Sequence, residues 1–168
     1  MIVDNALYRK GVRVPQDCDI ADLAEMRSRI SPGDFVWLGL YKPSERELGE
    51  VAEAFGLHPL AVEDALSAHQ RPKLERYDDS LFMALKTLWY VDEDDAVETG
   101  EINIFAADDF VVTVRHGAGG SLTAARRQLE EHVEVLVHGP SAVLYAVCDQ
   151  AVDDYPVDWP LETASSEA

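Results

Sequence analysis

Apolar residues recur along this chain in two rhythms, one with the period of a helix and one with that of a strand. Residues 2–9 (IVDNALYR) read as a short strand. Asp19 then stands as the N-cap of a helix carrying Ile20, Leu23, Ala24 and Met26. Asp34 to Tyr41 (DFVWLGLY) is an apolar strand bounded by Pro32-Gly33 and Pro43. Ser44 and Glu47 have capping-box spacing, so each side chain can satisfy a free backbone N–H at a helix start. Leu48, Val51, Ala52 and Phe55 follow at helical spacing, and Gly56 suits the C-terminal cap. His58-Pro59 opens a further helix, with proline at the first helical position, where its missing N–H costs nothing. Val62, Ala65 and Leu66 form its expected buried face. Asp64 falls roughly opposite them, Glu63 falls on the flank, and Gln70-Arg71-Pro72 ends the helix.

From Lys73 to Arg115 the pattern changes to strands. Leu81 to Tyr90 is rich in β-compatible residues, Asp92 to Asp95 is an acidic turn, and Ile102, Ile104 and Phe105 lie in a strand. Ala107-Asp108-Asp109 is a tight hairpin connection to the returning strand Phe110 to Arg115 (FVVTVR). Helical spacing resumes after the loop Gly117 to Gly120. Ser121 caps a helix with Leu122, Ala125, Leu129 and Val133; Ser141 caps a last one with Leu144, Cys148, Ala151 and Tyr155 along one face. Pro156 and Pro160 stop it, and Glu162 to Ala168 reads as a small, polar, disordered tail. Helices before, strands in the middle and helices after predict an α/β or α+β sandwich. Hairpin-linked strands predict a mixed sheet rather than an all-parallel one.

The chain has 168 residues, 47% of them apolar, enough for one domain or one domain with a tail. Charge changes the picture more, since 14 Lys+Arg stand against 32 Asp+Glu, a formal net charge of −18. So acidic a chain is a poor partner for nucleic acid, because phosphate binding needs clustered positive charge. It is also repelled by anionic lipid surfaces. Cations and basic proteins are the favoured partners. Cys18 and Cys148 lie far apart, without CxxC or zinc-ligand spacing, which fits a reduced cytosolic location. The first residues lack the basic start and apolar stretch of a signal peptide, and no run of ~18 apolar residues marks a transmembrane helix. The expectation is a soluble, cytoplasmic chain.

The candidate chemistry is carboxylate chemistry. Glu63 and Asp64 are neighbours on a helix and point about 100° apart, so they cannot easily hold one ion alone. Each could supply an oxygen to a site completed by another element or subunit. Asp149 and Asp153, with Asp154 beside them, lie four apart on the last helix and share one face. A hard divalent cation such as magnesium or calcium is the natural bridge between such oxygens. For both sets a solvated helix face is the competing reading. The Asp92 to Asp95 turn lacks the glycine and spacing of an EF-hand loop and reads as a solvated loop. His58 is most simply a helix cap, and His58, His69, His116, His132 and His138 form neither HExxH nor zinc-finger spacing. No GxSxG elbow and no Gly-Lys-Ser/Thr phosphate loop is present, so nothing in the pattern points to an enzyme.

One further pattern is specific. His58-Pro59-Leu60-Ala61-Val62-Glu63-Asp64-Ala65-Leu66, then His69-Gln70-Arg71-Pro72-Lys73 and the strand region Tyr77 to Tyr90, closely resembles the cytosolic domain of CorA-type magnesium transporters. Trp37-Leu38-Gly39-Leu40, Phe110 to Arg115 and the helix ending Asp149-Gln150-Ala151-Val152-Asp153-Asp154-Tyr155 also look like that family. The resemblance covers residues 1–155 and leaves 156–168 as a proline-interrupted tail.

The resemblance implies an α/β/α sandwich, with a mixed, largely antiparallel central sheet flanked by helices. It implies a homopentameric channel for magnesium, in many members also cobalt or nickel. Magnesium bound between neighbouring cytosolic domains would favour the closed channel, and its loss would let acidic surfaces repel and the pore open. Glu63 and Asp64 match the family's sensing carboxylates, and Asp149 matches another acidic residue of those sites. The family's stalk helix, its two transmembrane helices and its Gly-Met-Asn are not in this sequence. The membrane would therefore be reached only through a C-terminal part that is not here. A zinc-transporting relative would share the fold, but no histidine or cysteine cluster favours zinc. The remaining alternatives are a free-standing metal-binding or interaction module with no transport activity and an acidic hydrolase, whose carboxylates would need a shared cleft and a perturbed pKa.

Overall fold

A computed structural model describes residues 1–14, 22–67, 71–91, 93, 96–117 and 122–153. Seven strands form one sheet: β1 (Ile2–Arg9), β2 (Val12–Val14), β3 (Phe35–Tyr41), β4 (Lys73–Tyr77), β5 (Ser80–Val91), β6 (Ala96–Ala106) and β7 (Phe110–Gly117). Their order is β2-β1-β3-β7-β6-β5-β4. β3 and β7 run parallel, and the other neighbours are antiparallel. The mixed, largely antiparallel sheet is as the sequence predicts.

Helices cover both faces. α1 (Leu23–Ser28), α2 (Glu45–Phe55) and α3 (Pro59–Leu66) pack on one face, over Leu7, Val36, Leu38, Leu40, Phe82 and Val112. α4 (Thr123–Glu131), α5 (Val133–Leu136) and α6 (Pro140–Asp153) pack on the other, over Tyr8, Phe35, Trp37, Ile102 and Ile104. The chain is thus an α/β/α sandwich. β3 is buried on both faces, which is why it reads as one unbroken apolar run. The face under α4 also holds a polar network. Arg126 lies 4.0 Å over the Trp37 ring and pairs with Asp4 Oδ2 at 2.8 Å. Tyr8 donates to Glu130 at 2.7 Å, and burial first, then interactions that include this bond, hold its phenol above the usual range.

Several boundaries differ from the sequence reading, each for a local reason. A two-residue turn, Lys10-Gly11, folds β2 back onto β1; both residues have positive φ, 53° and 79°, which glycine takes at little cost. The region from Tyr77 to Tyr90 is one strand only from Ser80 onward, since Asp78-Asp79 turns between the paired residues Tyr77 and Ser80 and makes β4 and β5 a hairpin. Asp22 stands at the N-cap position of α1 without a side-chain cap hydrogen bond, while Asp19 and Ile20 lie outside the described residues. α3 ends at Leu66 with Ser67 extended, short of Gln70-Arg71-Pro72. His132 leaves the helical region (φ −120°, ψ 74°), so Val133 opens α5 and does not continue α4. α6 begins at Pro140, one residue before Ser141, and buries Ala142, Val143, Val147 and Ala151; Leu144 and Cys148 sit half-buried at its flank. Among the described residues, no helix is long and apolar enough to cross a membrane.

Candidate functional site

The helix carrying Glu63 and Asp64 is fixed at its start by sequence-local chemistry. Ser44 and Glu47 form the predicted capping box of α2, and Gly56 ends that helix at φ 66°, ψ 39°. Two residues later His58 caps α3: its Nδ1 accepts the Leu60 N–H at 3.2 Å, with Pro59 at the first helical position. The far end is held from the sheet, where His116 Nε2 on β7 donates to the Ala65 carbonyl at 2.6 Å. This satisfies one of the carbonyls that a helix end leaves free.

α3 buries Ala61 and Ala65, with Val62 and Leu66 only half-buried. This rotates the helix from the predicted orientation. Glu63 points to solvent, and Asp64 sits on the flank facing β4 with a quarter of its side chain exposed, 25%. Asp64 is not free there, because the Lys73 ammonium donates to its Oδ2.

Lys73 is the first member of a series on β4. Lys73, Glu75 and Tyr77 alternate along the strand, so their side chains share one face. Lys73 Nζ is 3.2 Å from Glu75 Oε1, and the Tyr77 hydroxyl donates to Glu75 Oε2. The Tyr77 ring stacks on His58 at 4.0 Å with 16° between planes. A closed circuit results: His58, Tyr77, Glu75, Lys73, Asp64, and back along α3. The hydrogen bond to Glu75, aided by burial, pushes the Tyr77 phenol up to about 12. The hydrogen bonds from Tyr77 and then Lys73 hold the Glu75 carboxyl below its usual range. The bond to Asp64 is the largest influence on Lys73 and raises its ammonium pKa. The Lys-x-Glu-x-Tyr alternation was the available signal for this set; its pairing with α3 is a tertiary fact.

Asp149 is exposed on α6, in the layer on the opposite side of the sheet from α3. One copy of the chain therefore does not bring Glu63 or Asp64 together with Asp149. The Asp153 side chain, Asp154, His69 and most of the Asp92 to Asp95 turn lie outside the described residues. Among the described residues, no group of three His, Cys, Asp or Glu stands close enough to hold a metal ion. What the arrangement offers is separate carboxylates on two outer layers, one of them already neutralised by an ammonium.

The chain matches the family model described as CorA-like Mg2+ transporter protein over residues 32–156. It is 33% identical over 132 residues to the putative metal ion transporter YfjQ of Bacillus subtilis (strain 168), spanning 78% of this chain and 40% of that protein. It is 29% identical over 106 residues to the cobalt/magnesium transport protein CorA of Thermotoga maritima, spanning 62% of this chain and 30% of that one. The chain thus covers less than half the length of either relative. Among solved structures, the soluble domain of CorA from Methanocaldococcus jannaschii is similar with a TM-score of 0.61 at 17% identity, over 92% of this chain and 58% of that chain. The ZntB cytoplasmic domain from Vibrio parahaemolyticus is similar with a TM-score of 0.55 at 18% identity, over 74% of this chain and 50% of that chain. These two are likenesses of fold.

Proposed function

The chain belongs to the CorA-like Mg2+ transporter family, and from that premise we propose that it is a metal-sensing module that governs an attached transport unit. Mg2+, or Co2+ or Ni2+ in its place, binds at Glu63, Asp64 and Asp149 where copies of the domain meet, and the bound ion favours a closed assembly. The observation that supports this reading is the division of the carboxylates. Glu63 and Asp64 lie on α3 and Asp149 on α6, on opposite outer layers of one sandwich. Among the described residues neither layer groups three possible ligands, so apposing two copies is the way to bring carboxylates of α3 and α6 to one ion, with water filling the rest of its shell.

The energetics follow from charge. Copies that each carry a formal charge of −18 repel one another on assembly. A divalent ion between facing carboxylates relieves that repulsion only while the copies are apposed. An ion that binds one arrangement better than another shifts the population toward it by that difference in affinity. Loss of Mg2+ then releases the acidic surfaces and, in the assembled transporter, the closed state.

Sedimentation velocity tests the reading on the parent chain, Asp64→Ala and Asp149→Ala. Mg2+ is expected to shift the parent toward larger species relative to a chelator, and each variant is expected to lose that shift. Identical distributions for the parent in Mg2+ and in chelator would remove the inter-copy site.

A further inference from the structure

Asp64 already has a cation. The Lys73 ammonium donates to Asp64 Oδ2, and it also lies 3.2 Å from Glu75 Oε1 on its own strand. The pair is neither buried nor free, with side-chain exposures of 27% for Lys73 and 25% for Asp64. At that exposure an ion pair is partly screened, so it is weak enough to be exchanged. Lysine suits exchange, being a compact charge on a flexible four-carbon stem with no fixed fork to realign. Glu75 gives the displaced ammonium a second anion without any movement of β4. Glu75 is itself held by the Tyr77 hydroxyl, and Tyr77 by its stack on the cap of α3.

We propose that the Lys73 ammonium is a tethered counter-cation that occupies Asp64 when no divalent ion does, and that its transfer to Glu75 sets the Mg2+ concentration at which Asp64 is loaded. This rests on the reading of Asp64 as an Mg2+-binding residue. An ammonium and a divalent ion at one carboxylate repel each other, so the two compete for Asp64 although its oxygens carry more than one lone pair. Mg2+ therefore meets only the fraction of molecules in which Asp64 is vacant, and its apparent dissociation constant rises as that fraction falls. Lys73 is in this sense a positioning residue: it never touches the ion, and it fixes how much ion is needed.

The test is a calorimetric titration of the full 168-residue chain with Mg2+ alone. Lys73→Met is expected to tighten binding by up to roughly fivefold, the upper end for a partly exposed ion pair. Lys73→Arg, which keeps the charge, is expected to stay at or above the parent dissociation constant. Arg76→Gln controls for net charge: it removes one positive charge from the opposite face of the same strand and should leave the constant near the parent value. Asp64→Asn should weaken binding and make Lys73→Met silent in the double variant, since coupled residues are non-additive. If Asp64→Asn weakens binding while Lys73→Met matches Arg76→Gln, the counter-cation role is overturned and the sensing reading stands. If Asp64→Asn leaves binding unchanged, both fall together.

Discussion

At the scale of single residues, Tyr77 and Glu75 perturb each other through one hydrogen bond. Its two partners report at opposite ends of the pH range. Glu75 titrates below its ordinary value in the folded chain, so its contribution to stability is present above about pH 4.3 and is lost as pH falls through the lowered value. Tyr77 titrates at about 12, above the ordinary phenol, so its contribution is complete below the unfolded value and is lost as pH rises through about 12. The hydrogen bond between them is the first cause of both shifts. Glu75→Gln should therefore bring the Tyr77 phenol back toward its ordinary value and flatten the acid limb of the melting profile between about pH 5 and pH 3. An ultraviolet phenolate titration of the parent, Glu75→Gln and Tyr77→Phe isolates the group, because Tyr8 also titrates late and is common to all three. A phenolate curve for Glu75→Gln that overlays the parent's would show that the pair does not form in solution.

At the scale of elements, α3 is the informative case. Its N-terminus was legible: His58 as cap and Pro59 at the first position are local chemistry, and local chemistry survives tertiary context. Its buried face was only half legible, because Val62 and Leu66 outweigh alanines in any hydrophobic pattern. Yet it is Ala61 and Ala65 that meet the sheet, at 1% and 0% exposure. Burying these small residues, with the Ala65 carbonyl held by His116 of β7, turns Asp64 toward Lys73. Ala65→Leu should then overpack the contact and cost about 1–3 kcal/mol, whereas Leu60→Ala, at a side chain 59% exposed, should change stability by no more than about 0.5 kcal/mol. Urea unfolding distinguishes them, and equal effects would mean that the helix is not seated on its alanines. The break at His132 and the Asp78-Asp79 turn escaped for a different reason. Neither carries a glycine or proline, the strongest markers of a change of direction, although Asp78-Asp79 is the same turn-favouring pair that marks the Asp108-Asp109 connection. The candidate site was legible as a set of carboxylates and not as a circuit, since the circuit joins two elements that are separate in sequence.

At the scale of the whole molecule, the net charge of −18 raises a question that site variants alone do not answer. Any salt screens self-repulsion, so any salt should stabilise this chain to some degree. Stabilisation by Mg2+ therefore points to a site only after that general effect has been removed. Melting curves in NaCl and in MgCl2 at matched ionic strength make the separation. In NaCl, the parent and a double variant Asp64→Asn/Asp149→Asn should rise in parallel, because screening does not depend on which carboxylates remain. In MgCl2 the parent should gain a further increment that grows with the logarithm of concentration, reaching about 2.7 kcal/mol at one hundred times the dissociation constant. The double variant should lose that increment and keep the screening. If the parent's two salt series coincide at matched ionic strength, Mg2+ acts on this domain only as an electrolyte, and its acidity serves repulsion without sensing.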